Sequence, residues 1–227
     1  MKKFTVSIMA AAALSTFAMA GGDITPPVEP VVETPVVEEA PAPMPGYFYL
    51  GLAYSYMNYE GDFYAEDGQE TLSANMEAEW DAIMLQAGYQ FNPYIGIEGR
   101  YWSNLGDGDA TMSYRYEGEG SESGSESGDA PDITAWGIYL KPTLPVGEGF
   151  SLYGLLGYGN VEIDDDFFDE SGFQWGVGAS FNFAENMSLF VDYVNLYDDD
   201  DSQQIEGFTA DVDETIYTVN VGVTYKF

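Results

Sequence analysis

The side chains able to do chemistry are few in kind. Asp and Glu number 39 against six Lys and Arg, and neither His nor Cys occurs in the 227 residues. Two acidic clusters stand out, Asp164-Asp165-Asp166 with Asp169-Glu170, and Asp198-Asp199-Asp200-Asp201. Hard cations such as calcium or magnesium prefer such oxygens. The full calcium-loop spacing, with its central Gly and final Glu, is missing from both. The clusters therefore read first as solvated, mutually repelling loop tips, and second as weak divalent-ion ligands; no metal centre is assigned. Without His there is no imidazole base, no His metal ligand and no Ser-His-Asp hydrolysis. Without Cys there is no thiol nucleophile, disulfide framework or iron–sulfur cluster. Neither an enzyme nor a cofactor is expected. Phosphate backbones need Lys and Arg, which this chain nearly lacks, so nucleic acid is excluded as a partner.

The few bases matter because the elements confine them. Residues 1–20 read as an export signal: Lys2 and Lys3, an apolar run from Phe4 to Phe17, and Ala18-Met19-Ala20 as an A-x-A cleavage site. The run is too short to span a bilayer comfortably. Once the signal is removed, only Arg100, Arg115, Lys141 and Lys226 remain as bases. Residues 21–46 hold seven of the eleven prolines and repeat Pro-Val-Val-Glu at Pro30 and Pro35. That composition favours an extended, semi-rigid periplasmic spacer.

Residues 47–227 read as strands. Ile216 to Phe227 alternates Tyr217, Val219, Val221, Val223, Tyr225 and Phe227 with Thr218, Asn220, Gly222, Thr224 and Lys226. This is strict period two. Tyr47 to Met57, Trp80 to Phe91, Tyr94 to Trp102, Ile133 to Pro142, Phe173 to Phe183 and Met187 to Tyr197 behave alike. Phe150 to Glu162 is ambiguous, with small residues weakly placing Ser151, Gly157 and Gly159 inside. Short turns are expected near Asn92-Pro93-Tyr94, Thr143 to Glu148 and Ala184-Glu185-Asn186. Long acidic connections are expected at Asn58 to Glu77, Asn104 to Pro131, Asp164 to Ser171 and Asp198 to Asp213, with mobile Gly120 to Gly128 in the second. Strict alternation of long and short gives an up-and-down meander of eight strands.

Size decides which face is inside. An eight-stranded barrel is just wide enough for side chains to fill it. It has room for Gly, Ser, Thr, Asn, Gln and a few charges, but not for an aromatic face from every strand. The aromatic face therefore points outward, into lipid. Tyr217 to Phe227 covers roughly 25 Å at about 3.3 Å per residue and about 40° tilt, the height of an apolar band. The fold class is an all-β, eight-stranded antiparallel up-and-down transmembrane β-barrel in an outer membrane. On this parity Glu98, Arg100, Lys141, Asp192 and Lys226 point inward. Buried charges need partners, so a lumen salt-bridge network is expected.

The run Asn220 to Phe227 resembles the C-terminal signal read by the outer-membrane barrel assembly machinery, with Asn220, Gly222, Tyr225 and Phe227 in its four fixed places. Residues 47–227 resemble the OmpA-type eight-stranded outer-membrane barrel family, without the peptidoglycan-binding domain that OmpA carries after its barrel. The resemblance implies a plugged polar lumen and a structural or surface-interaction role, with a small-solute porin-like channel as the alternative. The expected partners are the assembly machinery, from the resemblance, outer-membrane lipid, from the outward aromatic face, and, from the acidic clusters, lipopolysaccharide and weakly held divalent cations.

Overall fold

The computed structural model describes residues 46–67, 70–164, 168–205 and 208–227. The signal, most of the spacer, and Asp165 and Asp166 lie outside the described residues. Ten antiparallel strands follow: β1 (Tyr47–Glu66), β2 (Thr71–Asn92), β3 (Ile95–Asn104), β4 (Gly108–Glu117), β5 (Ser121–Ala130), β6 (Ile133–Pro145), β7 (Phe150–Ile163), β8 (Phe168–Ala184), β9 (Met187–Ile205) and β10 (Phe208–Lys226).

Eight of them close a ring. The order runs β1, β10, β9, β8, β7, β6, β3, β2, and β2 pairs back to β1. Both joints are long, from Tyr49↔Lys226 to Glu66↔Thr209 on one side of β1 and from Tyr47↔Gln90 to Glu66↔Thr71 on the other. The remaining pair, β4 and β5, is a hairpin standing off the far half of β2. Ten strand segments thus build the expected eight-stranded barrel plus one outlying hairpin.

The connections expected to be long are mostly strand. β1 and β2 pair out to Glu66↔Thr71, and β9 and β10 out to Ile205↔Phe208. Ser121–Ala130, expected as mobile Gly-Ser-Glu sequence, is strand β5, held in register with β4 from Gly108↔Ala130 to Glu117↔Ser121. Its main-chain groups find ladder partners although its side chains offer no apolar face. The result is a lopsided rim. β9, β10, β1, β2, β4 and β5 stand as a tall wall, while β3, β6 and β7 stop at Asn104, Ile133 and Ile163.

The apolar parity faces outward as expected: Phe48, Leu50, Leu52 and Tyr54 on β1 are exposed, as are Val219, Val221, Val223 and Tyr225 on β10. The ambiguous strand β7 turns its odd residues inward, Ser151, Gly157 and Gly159 among them, together with Tyr153 and Leu155.

The interior is more apolar than the size argument allowed. Met57, Trp80, Met84, Trp102, Ile133, Leu155, Leu196 and Ile216 are fully buried in one cluster toward the tall end. Glycines on neighbouring strands make the room. A Cβ on Gly108 would strike the Trp80 indole, one on Gly88 the Tyr49 ring, and one on Gly178 the Tyr153 ring. Pairing large with small across the wall lets a narrow barrel hold aromatics. A register shift between Ile216 and Tyr217 sets Tyr217 opposite Asn195 and Ile216 opposite Tyr197. The extra residue, Leu196, is buried in the cluster.

Candidate lumen charge cluster

Inward parity on β3 brings Glu98, Arg100 and Trp102 to the lumen one above another, two residues apart. β6 delivers Tyr139 and Lys141, β7 Tyr153, β9 Asp192 and β10 Asn220 to the same level. Arg100 lies at the centre. Its Nε donates to Glu98 Oε1 at 2.5 Å, and its Nη1 and Nη2 donate to Asp192 Oδ1 and Oδ2 at 3.0 and 2.8 Å. The Arg100, Glu98 and Asp192 side chains have no solvent exposure.

Each carboxylate is saturated by further donors. Glu98 Oε2 accepts from Lys141 Nζ at 2.6 Å and from the Tyr49 hydroxyl at 2.6 Å. Asp192 accepts from the Tyr153 hydroxyl at 2.6 Å and from Asn220 Nδ2 at 2.8 Å. The Asn220 carbonyl in turn accepts from Ser55 and from the Trp102 indole at 2.5 and 2.9 Å. Two cations and two anions make the cluster neutral, and its donors and acceptors answer one another. That is the condition under which buried charge is tolerated. The Lys141 ammonium also stands 4.3 Å from the centre of the Tyr153 ring, close enough for a cation–π contact.

Among the residues singled out in the sequence, Glu98, Arg100, Lys141 and Asp192 meet in this cluster. Lys226 does not. It points into the lumen nearer the short-turn end and donates to Asn182 Oδ1 at 2.5 Å. Arg115 is exposed on the outlying hairpin. Of the C-terminal residues, Asn220 faces inward and belongs to the cluster. Tyr225 and Phe227 face outward with rings 4.9 Å apart. Gly222 lies where a Cβ would strike Ala53 and the backbone of Leu52.

Sequence reasoning missed Tyr49, Tyr153, Trp102 and Asn220 as cluster members. Tyr49 and Trp102 sit on the inward parity of readable strands, so their parity was the available signal. Tyr153 lay on the one strand whose parity could not be read.

The acidic candidates do not converge. Asp164 occupies a turn with a φ of 39°, the left-handed region that Asp tolerates. Asp198, Asp199 and Asp200 are successive residues of β9, so they alternate between its faces. Among the described residues no group of three or more acids is arranged to hold a metal ion. Asp200, Asp213 and Asp62 do lie directly opposite one another across β9, β10 and β1, on the outer face of the tall wall.

The family model for the outer membrane protein beta-barrel domain matches residues 9–227. No curated protein matches the chain. OprG from Pseudomonas aeruginosa is similar over 81% of this chain and 96% of that one, at 16% identity and a TM-score of 0.51. Ail from Yersinia pestis, solved in complex with the heparin analogue sucrose octasulfate, is similar over 81% and 100%, at 17% identity and a TM-score of 0.39. The outer membrane protease OmpT from Escherichia coli is similar over 83% and 99%, at 12% identity and a TM-score of 0.42. At these identities the likeness shows the fold alone, and of the three only OprG overlaps closely enough to support it.

Proposed function

The chain belongs to the outer membrane protein beta-barrel domain family, and from that premise we propose that it is a closed, non-enzymatic barrel with a structural or surface-interaction role in the outer membrane. The observation that carries this reading is the double seal of its lumen. The Arg100 cluster ties facing walls together, and above it Met57, Trp80, Met84, Trp102, Ile133 and Ile216 form a layer with side chains fully or almost fully buried. An ion crossing that layer would lose its hydration shell among mostly apolar side chains, with too few polar groups, Thr218 and Gln174 among them, to replace it. A porin-like channel would instead keep polar side chains along its whole length.

Residues 1–20 serve export in this reading, with cleavage after Ala20, and residues 21–46 form a periplasmic spacer. The outward Tyr225 and Phe227, with Gly222 and Asn220, present the last strand to the assembly machinery. The tall acidic wall faces the cell exterior beside lipopolysaccharide, which is also anionic, and divalent cations bridge the two. Planar-bilayer recording on the refolded full chain tests the closed state. The expected trace is flat; a reproducible single-channel step under ordinary salt would overturn it.

A further inference from the structure

Beneath the Arg100 cluster the lumen widens into a cavity of about 500 Å³ that opens at the short-turn end. A volume on the order of 300–1,000 Å³ is that of small-molecule sites and far exceeds what a lone inorganic ion needs. Its roof is Lys141 and Tyr153, and its walls include Tyr47, Tyr49, Phe190 and Lys226, with serine and threonine hydroxyls between them.

The charge of this cavity is opposite to that of the molecule. No carboxylate lines it. Glu98 lies above, its oxygens already taken by Arg100, Lys141 and Tyr49. The acids of the neighbouring turns, Glu148 and Glu185, are exposed. The cluster overhead is neutral, so Lys226 is a surplus charge. Among the described residues it has no carboxylate partner, and its amino group is held in place by Asn182 Oδ1, itself accepting from Ser188 Oγ at 2.6 Å. The ammonium stands 5.6 Å from the Tyr47 ring centre, at the rim. One positive charge fixed beside an aromatic wall, in a space too large for an ion, specifies a monoanion with an apolar body.

We propose that this cavity is a binding site for a small organic carboxylate entering from the periplasmic side, its carboxylate on Lys226 and its apolar body against Tyr47, Tyr49 and Phe190. A free solute of the periplasm supplies that chemistry.

Benzoate is the probe, titrated into the refolded full chain in micelles and followed by NMR at Lys226, Asn182 and Tyr47, with benzamide as the neutral isostere. Saturable shifts with benzoate and none with benzamide are expected. Lys226→Gln should weaken binding at least fivefold, and Lys226→Arg should restore it, which separates lost charge from lost fold. No saturation beyond matched sodium chloride, an equal response to benzamide, or an undiminished Lys226→Gln would overturn the proposal.

Discussion

Arg100 on β3 and Asp192 on β9 are joined by two parallel hydrogen bonds of 3.0 and 2.8 Å, and their strands lie four steps apart whichever way the ring is followed. The pair therefore spans the barrel's diameter. A fork-to-carboxylate bond of this kind is directional, so it sets how far apart the two walls stand as well as closing the space between them.

Removing that fork should be costly. Glu98 would keep Lys141 and Tyr49, but Asp192 would be left with only Tyr153 and Asn220. Arg100→Ala is expected to lose about 3–5 kcal/mol, the cost of stranding a buried charge. The urea midpoint in lipid vesicles should fall accordingly. Arg100→Met combined with Asp192→Leu should recover most of the loss, since no buried charge is then unpaired. A single variant no less stable than the wild type would mean that Asp192 is hydrated.

The four tryptophans divide two and two. Trp80 and Trp102 are 2% and 0% exposed inside, while Trp136 and Trp175 are 44% and 38% exposed on the outer face. Single-tryptophan variants in vesicles of bromine-labelled lipid should show strong quenching for Trp136 and Trp175 and little for Trp80 and Trp102. The reverse result would invert the barrel.

That division marks what the sequence could and could not convey. The strands inside the bilayer were legible because each has one face in lipid and one in a crowded lumen, and period two follows. The Glu98, Arg100, Lys141 and Asp192 cluster was legible for the same reason, since a charge on the inward parity of a narrow barrel must find another. Beyond the bilayer neither face of residues 121–129 meets lipid or core, so the alternation vanishes there while the ladder hydrogen bonds persist. The buried Trp80 was hidden by its partner: only pairing across the wall reveals that Gly108 vacates the volume the indole fills. Leu196 was hidden because a one-residue bulge has no hydrophobic signature of its own.

In the proposed assembly signal, packing and biogenesis meet at Phe227. Phe227 is 68% exposed, edge-on to Tyr225, and its N–H donates to the Phe48 carbonyl at 2.9 Å. Phe227→Lys keeps the main-chain bond but sets a charge at the lipid boundary and removes the terminal aromatic. Its yield in the outer membrane should drop sharply, while the purified variant refolds in detergent to a heat-modifiable form. Normal yield would remove Phe227 from the assembly signal.

The outer face of the tall wall carries its own conflict. Asp62, Asp213 and Asp200 are directly opposite one another in adjacent strands, and beside them Asp62 accepts from the Asn75 amide. Like charges so placed disfavour pairing by about 0.2–1 kcal/mol each. Asp213→Asn removes both repulsions at once, so the variant should melt higher than the wild type at low ionic strength. The gain should shrink as salt rises, since these groups are on the surface. Millimolar calcium or magnesium should stabilise the wild type beyond matched sodium chloride and should do less for Asp213→Asn, because the carboxylate between the other two is gone. If the divalent ions act only as ionic strength does, the row is simply solvated, and cation bridging to lipopolysaccharide through this wall is excluded.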